Sequence, residues 1–227
     1  DSLAPTEYNL NLTVGGVPQD LGMLVIEERQ EASLTAHIAP RSLDRIEAGH
    51  GDVASAASPG NRVARGDYAV IEINASGLGE AIDPNNLRGT AAAEGFHLRF
   101  EDQRPEPNKE GDSFSVASAS DGVLTYWDAD SENLLVVWDT SDVSLQGGNH
   151  KYNVSLSIEA DHNHLVQEDT LEDNLTVTVV RPAVDLETDE GQLEVYPWED
   201  DVISLQGSTN YAPGSEFEFR ARAFEPR

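Results

Sequence analysis

The chain has 227 residues, 42 acidic against 14 basic side chains, a formal net charge of −28 and no cysteine. That balance argues strongly against nucleic acid or anionic membrane as a partner, because both need a basic patch. The missing cysteine excludes a disulfide framework, a thiol nucleophile and a thiolate metal site.

The acid is spread along segments that still alternate apolar and polar, so the sequence reads as a folded protein with a carboxylate-coated surface. Such a surface repels itself at low ionic strength. In molar salt the Debye length falls to roughly 3 Å and the repulsion nearly vanishes. The basic side is lopsided too, with lysine only at Lys109 and Lys151 against twelve arginines, and arginine is the more weakly hydrated cation. The simplest reading is a protein built for near-saturated brine; the alternative is an ordinary acidic extracellular protein. The apolar fraction of 38% is low but enough for a core. The longest apolar run, Leu134–Trp138, is far short of the roughly 20 residues that span a bilayer. Beginning at Asp1 rather than Met, the chain reads as a mature form or an excised piece.

In chain order, Tyr8, Leu10, Leu12 and Val14 recur at a period of two, which predicts a half-buried strand over Glu7–Val14 closed by Gly15-Gly16-Val17-Pro18. Leu21–Ile26 and Ala32–Ile38 read as further strands. Residues 40–66 read as a long surface loop with a helical turn around Arg41–Glu47. Tyr68–Ile73 is a clear strand, and Ala75-Ser76-Gly77-Leu78 turns into a short helical piece ending at Pro84. Phe96–Phe100, Ser113–Ala117, Lys151–Ile158 and Asn174–Val180 read as strands, with residues 101–113 as loop. Val123–Trp138 reads as a hairpin around Asp128–Asn133.

Arg181-Pro182 marks a domain boundary, because proline interrupts a ladder and biases its predecessor to extended structure. Beyond it, Val184–Leu186, Gln192–Tyr196, Val202–Leu205 and Ser215–Phe224 read as strands. In the last, Phe217, Phe219, Ala221 and Ala223 share one face. Short strands at this spacing predict an all-β fold of tandem β-sandwich domains. Residues 1–181 would form a sandwich with long surface loops, and residues 182–227 a small or incomplete second domain.

Several motifs bear on chemistry. Four Asn-x-Ser/Thr sequons, at Asn11, Asn74, Asn153 and Asn174, are candidate N-glycan acceptors; strands rich in Asn and Thr also produce the pattern incidentally. Asp128, Asp130 and Glu132 alternate at a predicted hairpin tip and resemble the start of a Ca²⁺ loop, because hard cations take oxygen ligands. Asn133 and Asp139 stand where that loop needs glycine and glutamate, and a solvated tip is the alternative. Asp185, Glu187, Asp189 and Glu190, and Glu199, Asp200 and Asp201, are weaker acidic candidates. His162 and His164, beside Asp161, are placed to share a metal if they lie on a strand. No Gly-x-Ser-x-Gly occurs, and with so many acids no carboxylate pair singles itself out for glycoside chemistry. Trp127 and Trp138 read as sheet core or rim.

Three blocks carry a resemblance. Val136-Val137-Trp138-Asp139-Thr140-Ser141-Asp142-Val143, with Gly147-Gly148 and Lys151-Tyr152-Asn153-Val154, resembles a recurring block of haloarchaeal cell-surface glycoproteins of the S-layer type. Gly207-Ser208-Thr209-Asn210-Tyr211-Ala212-Pro213-Gly214-Ser215-Glu216 is similar to a second block of that family. Gly66-Asp67-Tyr68 leading to Ala75-Ser76-Gly77-Leu78 is similar to a third, and the three stand in the family's order. The resemblance implies tandem Ig-like domains exposed outside the cell and a structural role without an active site. The resemblance implies a further strand pair after the Ala-Pro-Gly block and a membrane-anchoring tail, where this sequence reads Glu225-Pro226-Arg227.

The expected function is therefore structural: part of a haloarchaeal surface layer adapted to high salt. Expected partners are copies of itself or neighbouring surface domains, N-linked glycans, and Ca²⁺ or other divalent cations bridging acidic faces. The alternative is a subunit of an extracellular filament or adhesin assembled by strand donation.

Overall fold

A computed structural model describes residues 4, 6–26, 32–44, 47–84, 86–91, 94–103, 112–118, 122–146, 148–159, 170–187 and 206–220. The chain divides into two units, Asp1–Glu31 and Ala32–Arg227. The expected boundary at residues 181 and 182 lies within the second.

The first unit is a hairpin of β1 (Thr6–Val14) and β2 (Val17–Ile26). Gly15 and Gly16 both take positive φ, 59° and 81°, which a two-residue turn matching strand twist requires. Pro18 sits where the register shifts beside Thr13, the kind of place a residue without an N–H is tolerated in a ladder. Alternation places Tyr8, Leu10 and Leu12 on one face, but that face is not half-buried: Leu10 and Leu12 are 51% and 62% exposed. The predicted strand at Leu21–Ile26 is the second half of β2, and Leu21, Met23 and Val25 are exposed as well.

The second unit continues with β3 (Ser33–Ala39), α1 (His50–Ala56), β4 (Ser58–Pro59), β5 (Arg62–Ala64), β6 (Tyr68–Asn74), α2 (Leu78–Ala81) and α3 (Leu87–Thr90). Next come β7 (Phe96–Asp102), β8 (Ser113–Ser115), β9 (Val123–Asp128), β10 (Asn133–Asp139), β11 (His150–Ile158), β12 (Leu171–Val180), β13 (Val184–Leu186) and β14 (Gly207–Thr209). One five-stranded sheet has the order β4-β3-β6-β10-β9 and the other β5-β12-β11-β7-β8. All neighbours are antiparallel except β5, which runs parallel to β12 with Thr178 opposite Arg62. The fold is all-β, as the short alternating runs predict.

Period-two alternation decides what faces inward. In β11, Tyr152, Val154, Leu156 and Ile158 are buried while Lys151, Asn153, Ser155 and Ser157 point the other way. They pack in one core with Phe96, Leu98 and Phe100 of β7, Ile71 and Ile73 of β6, and Leu134 and Val136 of β10. Trp138, from the first sheet, meets Tyr152 edge-on at 4.8 Å and lies 5.4 Å from both Phe100 and Phe114 of the second. Phe100 and Phe114 stack at 4.7 Å. This aromatic cluster bridges the two sheets.

The central strands of the first sheet, β6 and β10, are buried on both faces, which is why β10 is apolar without interruption from Leu134 to Trp138. Its outer face carries Tyr68, Val70, Leu135 and Val137, covered by Leu43, Ala48, Val53 and Ala57 from the segment after β3. That segment was expected to hold a helical turn around Arg41–Glu47; the Leu43 N–H bonds to the Pro40 carbonyl at 3.1 Å and the Ala48 N–H to the Asp44 carbonyl at 2.9 Å, and a helix the sequence did not mark, α1, follows. The Asp52 carboxylate accepts the Gly49 N–H at 2.9 Å, closing the helix start, and Val53 anchors it in the sheet.

At the end of the chain, residues 215–220 lie outside any strand, and Phe217 and Phe219 are 42% and 55% exposed. Alternation there makes two faces, but a strand also needs a ladder partner. The rest of the predicted strand to Phe224, and those at Gln192–Tyr196 and Val202–Leu205, lie outside the described residues.

Phe100→Ala removes the ring that stacks on Phe114 and packs against Trp138. We expect unfolding in molar salt to shift by about 3–5 kcal/mol, measured by denaturant titration, whereas Phe219→Ala on the exposed tail shifts it by less than about 0.5 kcal/mol.

Candidate functional site

Asp67 sits between β5 and β6 and is 1% exposed. It follows Gly66, whose φ of 106° is a backbone state that glycine adopts freely. One Asp67 carboxylate oxygen accepts the Ala212 N–H at 2.7 Å; the other accepts the Arg41 N–H at 3.3 Å. The Asp67 carbonyl accepts the Thr140 hydroxyl at 2.8 Å, and that hydroxyl in turn accepts the Gly66 N–H at 3.0 Å. Arg41 reaches back over the same turn, donating to the Gly66 carbonyl and the Asp139 carboxylate, each at 3.3 Å, and to the Ser141 hydroxyl. Burial pushes the Asp67 carboxyl above its ordinary range; the Ala212 and Arg41 N–H groups and the Arg41 charge oppose that only in part.

A second clamp lies beside it. The Asn210 amide donates to the Arg181 carbonyl at 2.7 Å, and its oxygen accepts the Ala183 N–H at 2.8 Å. Thr209 donates its hydroxyl to the Ala183 carbonyl at 3.0 Å. Ser42 donates to the Gly214 carbonyl at 3.3 Å, and Tyr211 packs edge-on against Phe217 at 5.5 Å. The expected linker at Arg181-Pro182 is thus straddled by Asn210 and closed by the pairing of β13 with β14. A cavity of about 400 Å³ opens at this junction, lined by Arg41, Asp67, Tyr211 and Phe217 among others.

All three sequence blocks meet here. Gly66-Asp67 supplies the carboxylate, Asp139-Thr140-Ser141 supports the turn and holds Arg41, and Asn210-Tyr211-Ala212 is what they grip. Sequence reasoning marked the blocks but not the buried carboxylate joining them. The signal was an acid between a turn glycine and a wholly apolar strand start.

The outer face of the first sheet holds a second polar cluster. Glu72 pairs with His37 at 2.7 Å and accepts from the Asn133 amide at 2.7 Å and the Asn74 amide at 3.2 Å. Asn133 also donates to the Asn74 oxygen at 2.8 Å, and its own oxygen is 2.9 Å from His50. Burial pushes the Glu72 carboxyl up, but donation from Asn74, Asn133 and His37 outweighs it and holds Glu72 below the usual carboxylate range.

The other expected site residues are dispersed. Asn11 is exposed on β1, Asn174 is exposed on β12, Asn153 is half-buried in β11 opposite Thr176, and Asn74 ends β6 within the polar cluster. Asp128 accepts the Asp130 N–H at 3.0 Å and the Ser131 hydroxyl at 2.8 Å, which, with the Ser131 contact first, hold it below its ordinary range. Glu132, with φ of 50°, turns its carboxylate to the Gly77 N–H at 2.7 Å. Asp128, Asp130 and Glu132 therefore do not converge as a Ca²⁺ ligand set, and among the described residues no group of three or more His, Asp or Glu is placed to hold a metal ion. Asp185 and Glu187 are exposed. Asp161, His162, His164, Asp189, Glu190, Glu199, Asp200 and Asp201 lie outside the described residues. Trp138 is core and Trp127 packs at its margin, as expected.

No family model matches the chain. It is similar to a cell surface glycoprotein of Haloferax gibbonsii, 27% identical over 237 residues that cover 97% of this chain and 27% of the relative. It is also similar to cell surface glycoprotein 2 of Haloarcula hispanica, 24% identical over 253 residues that cover 96% of this chain and 27% of the relative. The resemblance read from the three blocks thus extends over nearly the whole chain, which spans about a quarter of the length of these curated relatives.

Replacing Asp67 tests the junction. Asp67→Ala leaves the Ala212 and Arg41 N–H groups without their acceptor, and we expect a loss of about 1–3 kcal/mol with faster amide exchange at Ala212. Asp67→Asn separates charge from shape. Because the folded-state pKa of Asp67 is raised, the folded state takes up its proton first. The wild type therefore gains stability relative to Asp67→Asn as pH falls through that raised value. Glu72→Gln should show the opposite sign: the Glu72 contribution is present above its ordinary value and fades as pH falls through the lowered one. Paired thermal melts from pH 7 to pH 3 in molar salt read both slopes.

Proposed function

We propose that this chain is a structural segment of a haloarchaeal cell-surface glycoprotein of the surface-layer type, working outside the cell in molar salt. The observation that carries the reading is the Asp67 junction. The three blocks that resemble the family are used to hold the chain beyond Arg181 against the sandwich in one orientation, which is what a load-carrying envelope protein needs from consecutive domains. Similarity to the two haloarchaeal cell surface glycoproteins supports the location, and the reading assigns no catalysis.

The strand order supports an immunoglobulin-like assignment. β3, β6, β10 and β9 take the A-B-E-D places of one sheet, and β12, β11 and β7 the G-F-C places of the other. In this reading residues 182–227 begin a second, small Ig-like domain. Asn11, Asn74, Asn153 and Asn174 carry glycans. Copies or neighbouring domains associate through acidic faces that molar salt and divalent cations such as Ca²⁺ allow to approach.

Sedimentation velocity and thermal melting in about 3 M and about 0.1 M salt, with and without millimolar Ca²⁺, test this reading. We expect the melting temperature to drop by more than about 10 °C in dilute salt, several kcal/mol at this chain length, and Ca²⁺ to drive assembly that a chelator reverses. A monomer indifferent to both salt and Ca²⁺ would sink the proposal.

A further inference from the structure

A cavity of about 600 Å³ lies on the outer face of the first sheet, between β6, β10 and α1. Val70 and Leu135 contribute apolar lining, and Glu72, Asn74, Asn133 and His50 contribute polar lining. We propose that this cavity seats the first sugar of a glycan carried by Asn74 of the same chain. The proposal rests on the reading that the sequons are glycosylated and goes further by assigning one of them a built-in seat.

The amide geometry suits the linkage. The Asn74 oxygen is taken by the Asn133 amide at 2.8 Å, and the Asn74 nitrogen donates one hydrogen to Glu72 at 3.2 Å. A side-chain amide nitrogen carries two hydrogens, so the network holds the group in place with one N–H to spare. Glycosylation replaces one N–H by a bond to the anomeric carbon of a glycosyl donor activated as a phosphate or diphosphate ester; the proton leaves with the phosphate, and the second N–H stays on Glu72. The lining matches a sugar ring, with carboxylate, amide and imidazole for hydroxyls and the accessible Ala54, Ala57 and Pro59 for its C–H faces. The opposite polar face, around Asn153 and Asn174 of the second sheet, is paved by Ser155, Ser157 and Thr176.

The same geometry sets an order of events. Ala75, the middle residue of the sequon, is 5% exposed, and β6 is hydrogen-bonded on both sides, to β3 and β10. Ala75 packs in the core just past the end of β6, so a transferase cannot draw out Asn74-Ala75-Ser76 once the sandwich has closed, and the sugar is attached before it does.

The test uses the protein expressed in a glycosylating halophilic host. Ser76→Thr keeps the sequon, Ser76→Ala removes it, and Ala57→Leu narrows the cavity with the sequon intact. Glycopeptide mass spectrometry reads occupancy, and hydrogen exchange reads α1. We expect Asn74 to be occupied in the wild type, Ser76→Thr and Ala57→Leu. Exchange over residues 50–56 should be about tenfold faster in Ser76→Ala and Ala57→Leu than in the wild type. Asn74 occupied in the wild type, with α1 exchange unchanged in either Ser76→Ala or Ala57→Leu, overturns the seat but leaves the glycan reading intact. An unmodified Asn74 beside a modified Asn11 or Asn174 also overturns the seat. No modification at any sequon overturns the glycan reading itself.

Discussion

Burial of the Asp67 carboxylate is the constraint from which the rest of the second unit follows. A charged group taken out of water carries a heavy cost unless donors meet it. Here they come from two distant segments, the Arg41 N–H just after β3 and the Ala212 N–H beyond β14. Meeting that requirement fixes the path of the chain on either side: the segment after β3 must pass over the turn at Gly66, and the segment after β14 must return to it. Thr140, just after β10, completes the arrangement by donating its hydroxyl to the Asp67 carbonyl. One buried acid thus ties four parts of the chain to one point.

The sandwich beneath it is held without covalent staples. Tyr152, Trp138, Phe100 and Phe114 form one aromatic contact set across both sheets. The first sheet is covered on its outer face by α1 and its flanks, whereas the second sheet turns Lys151, Asn153, Ser155 and Ser157 outward. The two outer faces therefore differ in kind. One hides a polar network in a cavity, and the other is an open hydrogen-bonding surface. A protein with net charge −28 gains little from exposed ion pairs, and its internal organisation rests on apolar packing and on acids, such as Asp67 and Glu72, that are individually supplied with donors.

Reading from sequence worked where the signal was local. Strands β7 and β11 were legible because their apolar residues repeat at the strand period, and β6 and β10 because they are short continuous apolar runs bounded by turn residues. It failed where the outcome hinged on a distant partner. Leu10 and Leu12 alternate correctly yet remain exposed, because alternation states which residues share a face but not what covers it. Phe217 and Phe219 alternate as well, but without a neighbouring strand the described segment forms no ladder. Helix α1 was missed because its short apolar content is a single anchor, Val53, and its start depends on Asp52 folding back on Gly49. The acidic tip looked like a cation loop because spacing along a chain does not reveal direction, and Glu132 points to Gly77 instead.

By itself the sequence determined the all-β character, the acid coat, the lack of disulfides and the position of the family-like blocks, since each is a matter of composition or of short-range periodicity. Only the tertiary structure decided that Asp67 is buried, that its partner Ala212 lies 145 residues away, and that Asn74 ends beside a cavity while Asn11 and Asn174 stand in the open. These depend on which strands become neighbours, and that choice belongs to the packing of two sheets around one core.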